Sequence, residues 1–155
     1  MTKFEKVSEK QFVADGGKSE TYGGITLPKR GTAGSAGYDF FASERLEIKA
    51  GQSVKVASGI RCAMRAELCL LIFPRSSLGF KYRLALDNTV GVIDSDYYGA
   101  DNEGHIMIKM TNNSSADLVV ESGKAFAQGI FIQYGLTDDD MVVGNRSGGF
   151  GSTDK

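Results

Sequence analysis

The sequence is poor in the residues that build metal sites and disulfide frameworks. It has one histidine and two cysteines, Cys62 and Cys69, which lie in apolar stretches and form no CxxC pair. This usage argues against a zinc site built by the protein and favours buried free thiols. Free thiols are typical of reducing compartments, so we expect a cytoplasmic protein.

The sequence also has little net charge and no long apolar run near its start. A net charge of −1 provides no bulk positive field to hold the chain on nucleic acid or on an anionic membrane. Residues 1–24 mix Lys and Glu, which argues against a signal peptide and a transmembrane helix. We therefore expect no nucleic-acid or membrane partner, and any positive charge that binds an anion must be concentrated locally.

The patterns that are present predict one small all-β domain over residues 1–155. Ser8 opens a capping-box spacing with Gln11, which predicts a short helix that runs to Gly16. From residue 25 onward, apolar residues alternate with polar ones in short runs, and turn signals recur about every ten residues. This pattern is typical of a β-barrel or a jelly roll. Residues 145–155 are rich in Gly and Ser and are expected to be mobile unless something docks them.

Five short segments carry more specific information. They are AGYD at 36–39, PRSSLG at 74–79, GVIDSDY at 91–97, AQG at 127–129 and GGFGST at 148–153. Together and in this order they resemble the five motifs of the trimeric dUTPase family. The resemblance covers about residues 25–153, and it implies the all-β dUTPase fold with a Gly-rich tail that closes over the active site.

This resemblance implies an enzyme that hydrolyses dUTP to dUMP and pyrophosphate by attack of water on the α-phosphorus. Such an enzyme keeps uracil out of DNA and supplies dUMP for thymidylate synthesis. The resemblance also implies a homotrimer with shared active sites. The sequence has no cluster of carboxylates to cage Mg²⁺, so the triphosphate and water are expected to supply most ligands of this ion.

The third motif supplies the expected catalytic base. An apolar strand ends abruptly at Asp94, and a carboxylate at the edge of an apolar surface stays a competent base. The resemblance implies that Asp94 activates the attacking water. Asp96 also matches a motif position, but we expect it to have a structural role in the turn. It also implies that Tyr97 lies against the deoxyribose and excludes a 2′-hydroxyl. The alternatives are an Asp-rich turn and a Tyr that only closes a hairpin.

The same motif is expected to read the base. Asn88 lies six residues before Asp94, on the opposite arm of a predicted hairpin. The resemblance implies that uracil is bound by the Asn88 side chain and by the backbone of Gly91, Val92 and Ile93. Cytosine would leave buried polar groups unpaired in such a site, which is a strong basis for discrimination.

The second and fourth motifs are expected to bind the phosphates. Arg75 can fork onto phosphate oxygens, with Ser76 and Ser77 beside it. The alternative is an ordinary helix start, since Ser caps helices well. Asp39 would orient Arg75 or hold a water on the metal ion. Gln128 would donate to the phosphates, or else only bond a neighbouring strand.

The fifth motif supplies the tail residues of the expected site. The spacing after Arg146 and the length of the segment 98–104 differ from the family pattern. The resemblance implies that Arg146 reaches the γ-phosphate, that Phe150 stacks on uracil, and that Gly151 and Ser152 bind substrate. Only one residue separates Arg146 from the Gly pair, where the family has two. The acidic segment 98–104 is longer than usual, and the histidine after it is expected at the surface or at a subunit contact.

Two other functions remain open from the residues. A dCTP deaminase shares the fold and an Arg-Ser-Ser segment, but its chemistry needs a base aimed at the pyrimidine ring and it lacks the GGFGST tail. A non-catalytic nucleotide sensor that regulates a partner is the second alternative, against which the complete motif set argues. Release of ammonia rather than pyrophosphate would identify the deaminase.

Overall fold

The computed structural model describes residues 1–144. Short strands dominate this part of the chain. They are β1 (Lys3–Lys6), β2 (Lys29–Arg30), β3 (Tyr38–Phe41), β4 (Leu46–Ile48), β5 (Ser53–Ala57), β6 (Ile60–Ala63), β7 (Leu68–Pro74), β8 (Leu84–Leu86), β9 (Gly91–Ile93), β10 (Met107–Asn112), β11 (Leu118–Val120) and β12 (Ala125–Gln133). The helices are α1 (Glu9–Ala14), α2 (Ser19–Tyr22), α3 (Ser76–Tyr82) and a 3-10 helix at Ser95–Gly99.

The strands pair in antiparallel sheets. The largest sheet has the order β2-β3-β12-β7-β9, and a second has the order β5-β10-β8. Two further pairs are β11 with β4 and β1 with β6. The all-β prediction is confirmed, while the sheets formed by residues 1–144 are open and do not close into one barrel.

Alternation along the strands builds one core between these sheets. In β10, Ile108 and Met110 are buried while Lys109 is exposed, as the period-two pattern predicts. Phe40 from β3 and Phe126 from β12 are among the largest side chains of this core. None of the helices within residues 1–144 is long and apolar enough to cross a membrane.

The N-terminal helix forms where the capping signal places it. The Ser8 side chain accepts a hydrogen bond from the backbone N–H of Gln11, at 3.1 Å. The helix ends at Ala14, and Gly16 follows with a φ of +100°. The other half of the expected capping box is absent, because Gln11 donates to Asp15 and the Ser8 N–H donates to the distant Glu103 carboxylate.

Candidate active site

The second motif lies where β7 ends and α3 begins. Arg75 is the N-cap of α3 and makes no side-chain capping bond, and Ser76 and Ser77 are exposed in the first turn. The first N–H groups of any helix have no acceptor within it, so they are available to an anion. The Arg75 side chain is 42% exposed, and its Nε lies 3.5 Å from the Asp39 carboxylate.

The first and fourth motifs meet beside this arginine. Gln128 in β12 lies opposite Asp39 in β3 and opposite Phe73 in β7. Its side-chain amide donates to the carbonyl of Pro74 at 3.3 Å, which is the contact with a neighbouring strand considered above. A Cβ at Gly37 would lie 2.4 Å from the Gln128 Oε1, so a larger residue there would displace the end of the Gln128 side chain.

These contacts bring Asp39, Arg75, Ser76, Ser77 and Gln128 to one end of the five-stranded sheet. Two of them, Arg75 and Gln128, are positioned by bonds to neighbouring strands. The group offers a guanidinium, hydroxyls and N–H donors on an accessible surface, which is the chemistry that a phosphate needs. Their binding of substrate stays a prediction.

The third motif lies at the opposite end of β7. Residues 91–93 form β9, and Asp94 follows as the half-buried N-cap of the 3-10 helix. The carbonyl of Asp94 accepts a hydrogen bond from the Tyr97 N–H at 3.2 Å. Tyr97 is only 6% exposed, and its hydroxyl donates to the backbone carbonyl of His105 inside the chain.

The predicted hairpin around Asn88 differs from expectation in its pairing. The arms β8 and β9 lie in different sheets, with β8 paired to β10 and β9 paired to β7. Only an isolated bridge between Leu86 and Thr89 joins the two arms. Asn88 therefore lies at the exposed tip of the turn rather than on a paired arm, with Gly91 buried and Val92 exposed nearby.

The strand register fixes how far apart the two motifs lie. Ile93, next to Asp94, is opposite Leu70 in β7. Arg75 comes five residues after Leu70 along the same direction. At about 3.3 Å per residue the separation is roughly 17 Å. One chain therefore presents the predicted base, Asp94, and the predicted phosphate-binding residue, Arg75, at two separate places.

One sequence expectation about this region is wrong. His105 is fully buried rather than at the surface. Its Nδ1 lies 2.6 Å from the Asp15 carboxylate, and its Nε2 accepts a hydrogen bond from the Gly59 N–H at 2.8 Å. Burial holds the pKa of His105 below its ordinary value, and the hydrogen bond to Asp15 opposes this effect. Asp15 is 90 residues away in sequence, so no local pattern signals the pairing.

Both cysteines are free thiols, as expected, but only Cys62 is buried. Cys62 is buried, and its burial raises the pKa of the thiol to about 12, so it is an unreactive thiol. Cys69 is half-buried and also free. Between residues 1 and 144 no group of three His, Cys, Asp or Glu side chains could hold a metal ion.

The expected tail residues Arg146, Phe150, Gly151 and Ser152 lie outside the described residues.

The chain is similar to known dUTPases along most of its length. The family model for dUTPase matches residues 24–153. A deoxyuridine 5′-triphosphate nucleotidohydrolase from Lactococcus lactis subsp. lactis is 41% identical over 133 residues, which cover 84% of this chain and 89% of the relative. One from Desulfitobacterium hafniense (strain DSM 10664 / DCB-2) is 40% identical over 135 residues, covering 82% and 86%.

Solved structures give the same result. The crystal structure of the dUTPase from Streptococcus mutans matches with a TM-score of 0.70 at 40% identity, covering 88% of this chain and 98% of that one. A variant of the dUTPase from phage phi11 of S. aureus, which coordinates a structural Mg(II) ion, matches with a TM-score of 0.67 at 15% identity, covering 93% and 97%. At that identity the phage enzyme supports the fold alone. The extent of the family match and the identity to these relatives show that the chain belongs to the dUTPase family.

Proposed function

We propose that the chain hydrolyses dUTP to dUMP and pyrophosphate at a site shared between subunits of a homotrimer. The observation that carries the proposal is the grouping of Asp39, Gln128 and Arg75 at one end of β7, with Asp94 at the other. The backbone separation of roughly 17 Å along β7 puts the two halves of the proposed site at different ends of this strand in one chain. A closed cyclic assembly brings the two halves together from neighbouring subunits.

In this site Asp94 acts as the general base. It accepts a proton from a water as the water oxygen bonds to the α-phosphorus, and the bond from that phosphorus to the bridging oxygen of the β-phosphate breaks. The electron pair leaves with pyrophosphate. Arg75, Ser76 and Ser77 stabilise the negative charge on the phosphates, and Asp39 orients the guanidinium.

The third motif selects the nucleoside. The Asn88 side chain and the backbone of Gly91, Val92 and Ile93 bind uracil. Tyr97 packs against the deoxyribose, and the space beside its ring is too small for a 2′-hydroxyl. This role uses the ring, because the hydroxyl of Tyr97 is held inside the chain by two hydrogen bonds.

Magnesium fits this site as an ion carried by the substrate. In the part of the chain that the structure describes, carboxylates do not gather into a metal site, and Asp39 lies against Arg75. The triphosphate and water would therefore supply the inner ligands, as suits an ion that dehydrates reluctantly. When bound, Mg²⁺ polarises the phosphates and fixes their geometry. Arg75 and the serine hydroxyls bind the oxygens that the ion leaves free.

The rest of the proposal concerns assembly and location. The tail from a third subunit would close the site, with Arg146 at the γ-phosphate, Phe150 stacked on uracil, and Gly151 and Ser152 at the substrate. We infer that the enzyme acts in the cytoplasm, where its product dUMP serves thymidylate synthesis and where its removal of dUTP keeps uracil out of DNA.

Substrate comparison tests this function. Pyrophosphate release is measured with Mg²⁺ and each of dUTP, UTP, dCTP and dTTP, and we expect dUTP to be strongly preferred. Comparable rates with all four nucleotides would remove the uracil-reading role of the third motif. Ammonia release from dCTP would instead identify a deaminase, and nucleotide binding without turnover would identify a sensor.

A further inference from the structure

The hydroxyl of Tyr97 makes two hydrogen bonds inside the chain. It donates to the backbone carbonyl of His105 at 2.8 Å, and it accepts from the side-chain amide of Asn102 at 2.8 Å. The ring belongs to the 3-10 helix that begins directly after Asp94. A tyrosine ring held at both its backbone and its hydroxyl end has little freedom to swing.

The His105 carbonyl, which accepts the hydrogen bond from Tyr97, is itself held in place by contacts of the His105 side chain. The imidazole of His105 is fully buried and bonded on both nitrogens, at Nδ1 to Asp15 and at Nε2 to the N–H of Gly59. Asp15 is the C-cap of α1. It precedes residue 24, where the family match begins. The position of the His105 carbonyl, and with it the Tyr97 hydroxyl, thus depends on residues outside the family's motifs.

The acidic segment 98–104 folds back against Tyr97. A Cβ at Gly104 would lie 2.6 Å from the carbonyl oxygen of Tyr97, and Gly104 has a φ of +69°. Glu103 also has a positive φ, of +59°, and its carboxylate accepts hydrogen bonds from the N–H and the hydroxyl of Ser8. A non-glycine residue in this conformation costs free energy, and the contacts to α1 hold it there.

We propose that Asn102 and His105, the latter braced by Asp15, are positioning residues that set the sugar specificity of the enzyme by holding the Tyr97 ring. The proposal rests on the proposed role of Tyr97 at the deoxyribose. It assigns a function to the segment 98–104 and to the N-terminal helix.

Exclusion of a single hydroxyl group depends on how firmly the excluding side chain is held. UTP differs from dUTP at the sugar by a single oxygen atom. A ring that moves by a fraction of an ångström makes room for part of that oxygen, so exclusion requires a ring that cannot yield. Loss of one hydrogen bond at the far end of the ring permits such motion, while the uracil and phosphate contacts of both nucleotides stay the same.

The experiment compares variants by the ratio of kcat/KM for dUTP to kcat/KM for UTP, at a temperature well below unfolding. Asn102→Leu removes the hydrogen bond that the Tyr97 hydroxyl accepts, and Tyr97→Phe removes that bond together with the one to the His105 carbonyl. We expect Asn102→Leu to lower the ratio roughly three- to tenfold, in line with one lost hydrogen bond, and Tyr97→Phe to lower it at least as much. The double variant should be no worse than Tyr97→Phe alone, since Tyr97→Phe already removes both of these bonds to the hydroxyl.

The adjacent tyrosine provides a matched control. Tyr98 lies in the same 3-10 helix, and its hydroxyl donates to Glu5 of β1 at 2.5 Å. Tyr98→Phe removes a comparable bond between this helix and the N-terminal segment without touching Tyr97, so it should leave the ratio unchanged. A drop equal to that of Tyr97→Phe would mean general loosening and would overturn the proposal.

Two variants of Asp15 test whether its contact with His105 holds Tyr97 in place. Asp15→Asn keeps an acceptor for the imidazole N–H, while Asp15→Ala removes it. The ratio should fall for the alanine variant and be retained by the asparagine variant. Equal ratios for the two would show that the brace does not reach Tyr97.

Tyr97→Ala separates this inference from the function on which it rests. If Tyr97→Ala leaves the ratio unchanged, the tyrosine is not the sugar filter and both proposals fail. If Tyr97→Ala lowers the ratio while Tyr97→Phe and Asn102→Leu do not, the filter stands and the positioning role of Asn102 and His105 is wrong.

Discussion

The carboxylate of Asp39 in β3 lies 3.5 Å from the Nε of Arg75, which follows β7, and β12 runs between these two strands. Both side chains are partly exposed, so the pair contributes at most about 1 kcal/mol to the free energy of unfolding. In the proposed site, the role of this pair is to orient the guanidinium toward the phosphates. The pair therefore predicts an effect on substrate binding that exceeds its effect on stability.

Asp39→Ala should raise the KM for dUTP about tenfold, because a loss of orientation affects a charge-assisted contact to phosphate. Steady-state kinetics at several Mg²⁺ concentrations measure this. The effect should be independent of Mg²⁺ if Asp39 orients Arg75, whereas relief at high Mg²⁺ would favour a water held on the metal ion. Glu47→Ala, which removes an exposed carboxylate from Arg45, is the control and should leave the KM unchanged.

Asp94→Asn should lower kcat by at least roughly 10²–10⁴-fold with KM little changed, because the amide keeps the shape of the side chain but cannot accept the proton. Single-turnover kinetics with dUTP and Mg²⁺ measure the chemical step. Asp96→Asn is the matched control in the same turn and should retain most of the activity. A rate within tenfold of the unmodified enzyme for Asp94→Asn would mean that another residue activates the water.

The buried imidazole predicts how stability depends on pH. The folded-state pKa of His105 lies below its ordinary value of 6.5, mainly because of burial. The unfolded chain therefore takes up a proton below about pH 6.5 that the folded chain does not, so stability falls as the pH falls through this value. Glu5, with a pKa lowered to about 2 by Lys3 and Tyr98, contributes only at more acid pH.

This prediction can be measured without a variant, since the chain has a single histidine. An NMR titration of its ring signals should give a pKa below 6.5 and a neutral form protonated at Nδ1, because the Gly59 N–H donates to Nε2. The midpoint of thermal unfolding should decrease between pH 7 and pH 5. A ring pKa above 6.5 would contradict the account of a buried neutral imidazole.

Gly104 and Gly123 have similar φ angles but different surroundings, so alanine variants at the two positions distinguish backbone strain from steric contact. Gly104 and Gly123 have φ values of +69° and +78°, but a Cβ at Gly123 would meet nothing within 4 Å. Gly123→Ala should cost only the backbone term, roughly 1–2 kcal/mol. Gly104→Ala should cost about 1–3 kcal/mol more, because its Cβ would collide with the backbone of Tyr97. Denaturant unfolding measures both, and equal losses would mean that the turn moves away freely.

Local patterns in the sequence predict much of the fold and the chemical content of the site. Ser8 begins α1 because its hydroxyl caps the next turn, and the strands follow the alternation of apolar residues. The motifs around Arg75 could be named from their residues alone. Distant pairings could not be predicted in this way. The bonds from His105 to Asp15 and from Glu103 to Ser8 join residues 90 and 95 positions apart, and no periodic signal connects them.

The strand register could not be predicted from the sequence either. The expected hairpin around Asn88 divides between two sheets because β8 pairs with β10 and β9 with β7. This division depends on which strands meet in the fold rather than on any residue of the turn. The same register separates Arg75 from Asp94, and this separation is the basis for a site shared between subunits.

Complementation between two inactive variants tests that shared site most directly. Arg75→Ala and Asp94→Asn are each expected to be folded, trimeric and nearly inactive. When equal amounts are unfolded and refolded together, a working site needs its Arg75 from one pool and its Asp94 from the other. Random cyclic assembly makes these choices independent, so about a quarter of the sites should recover activity with dUTP. If mixed trimers form and activity stays at the level of the separate variants, both residues act from one chain and the account is wrong.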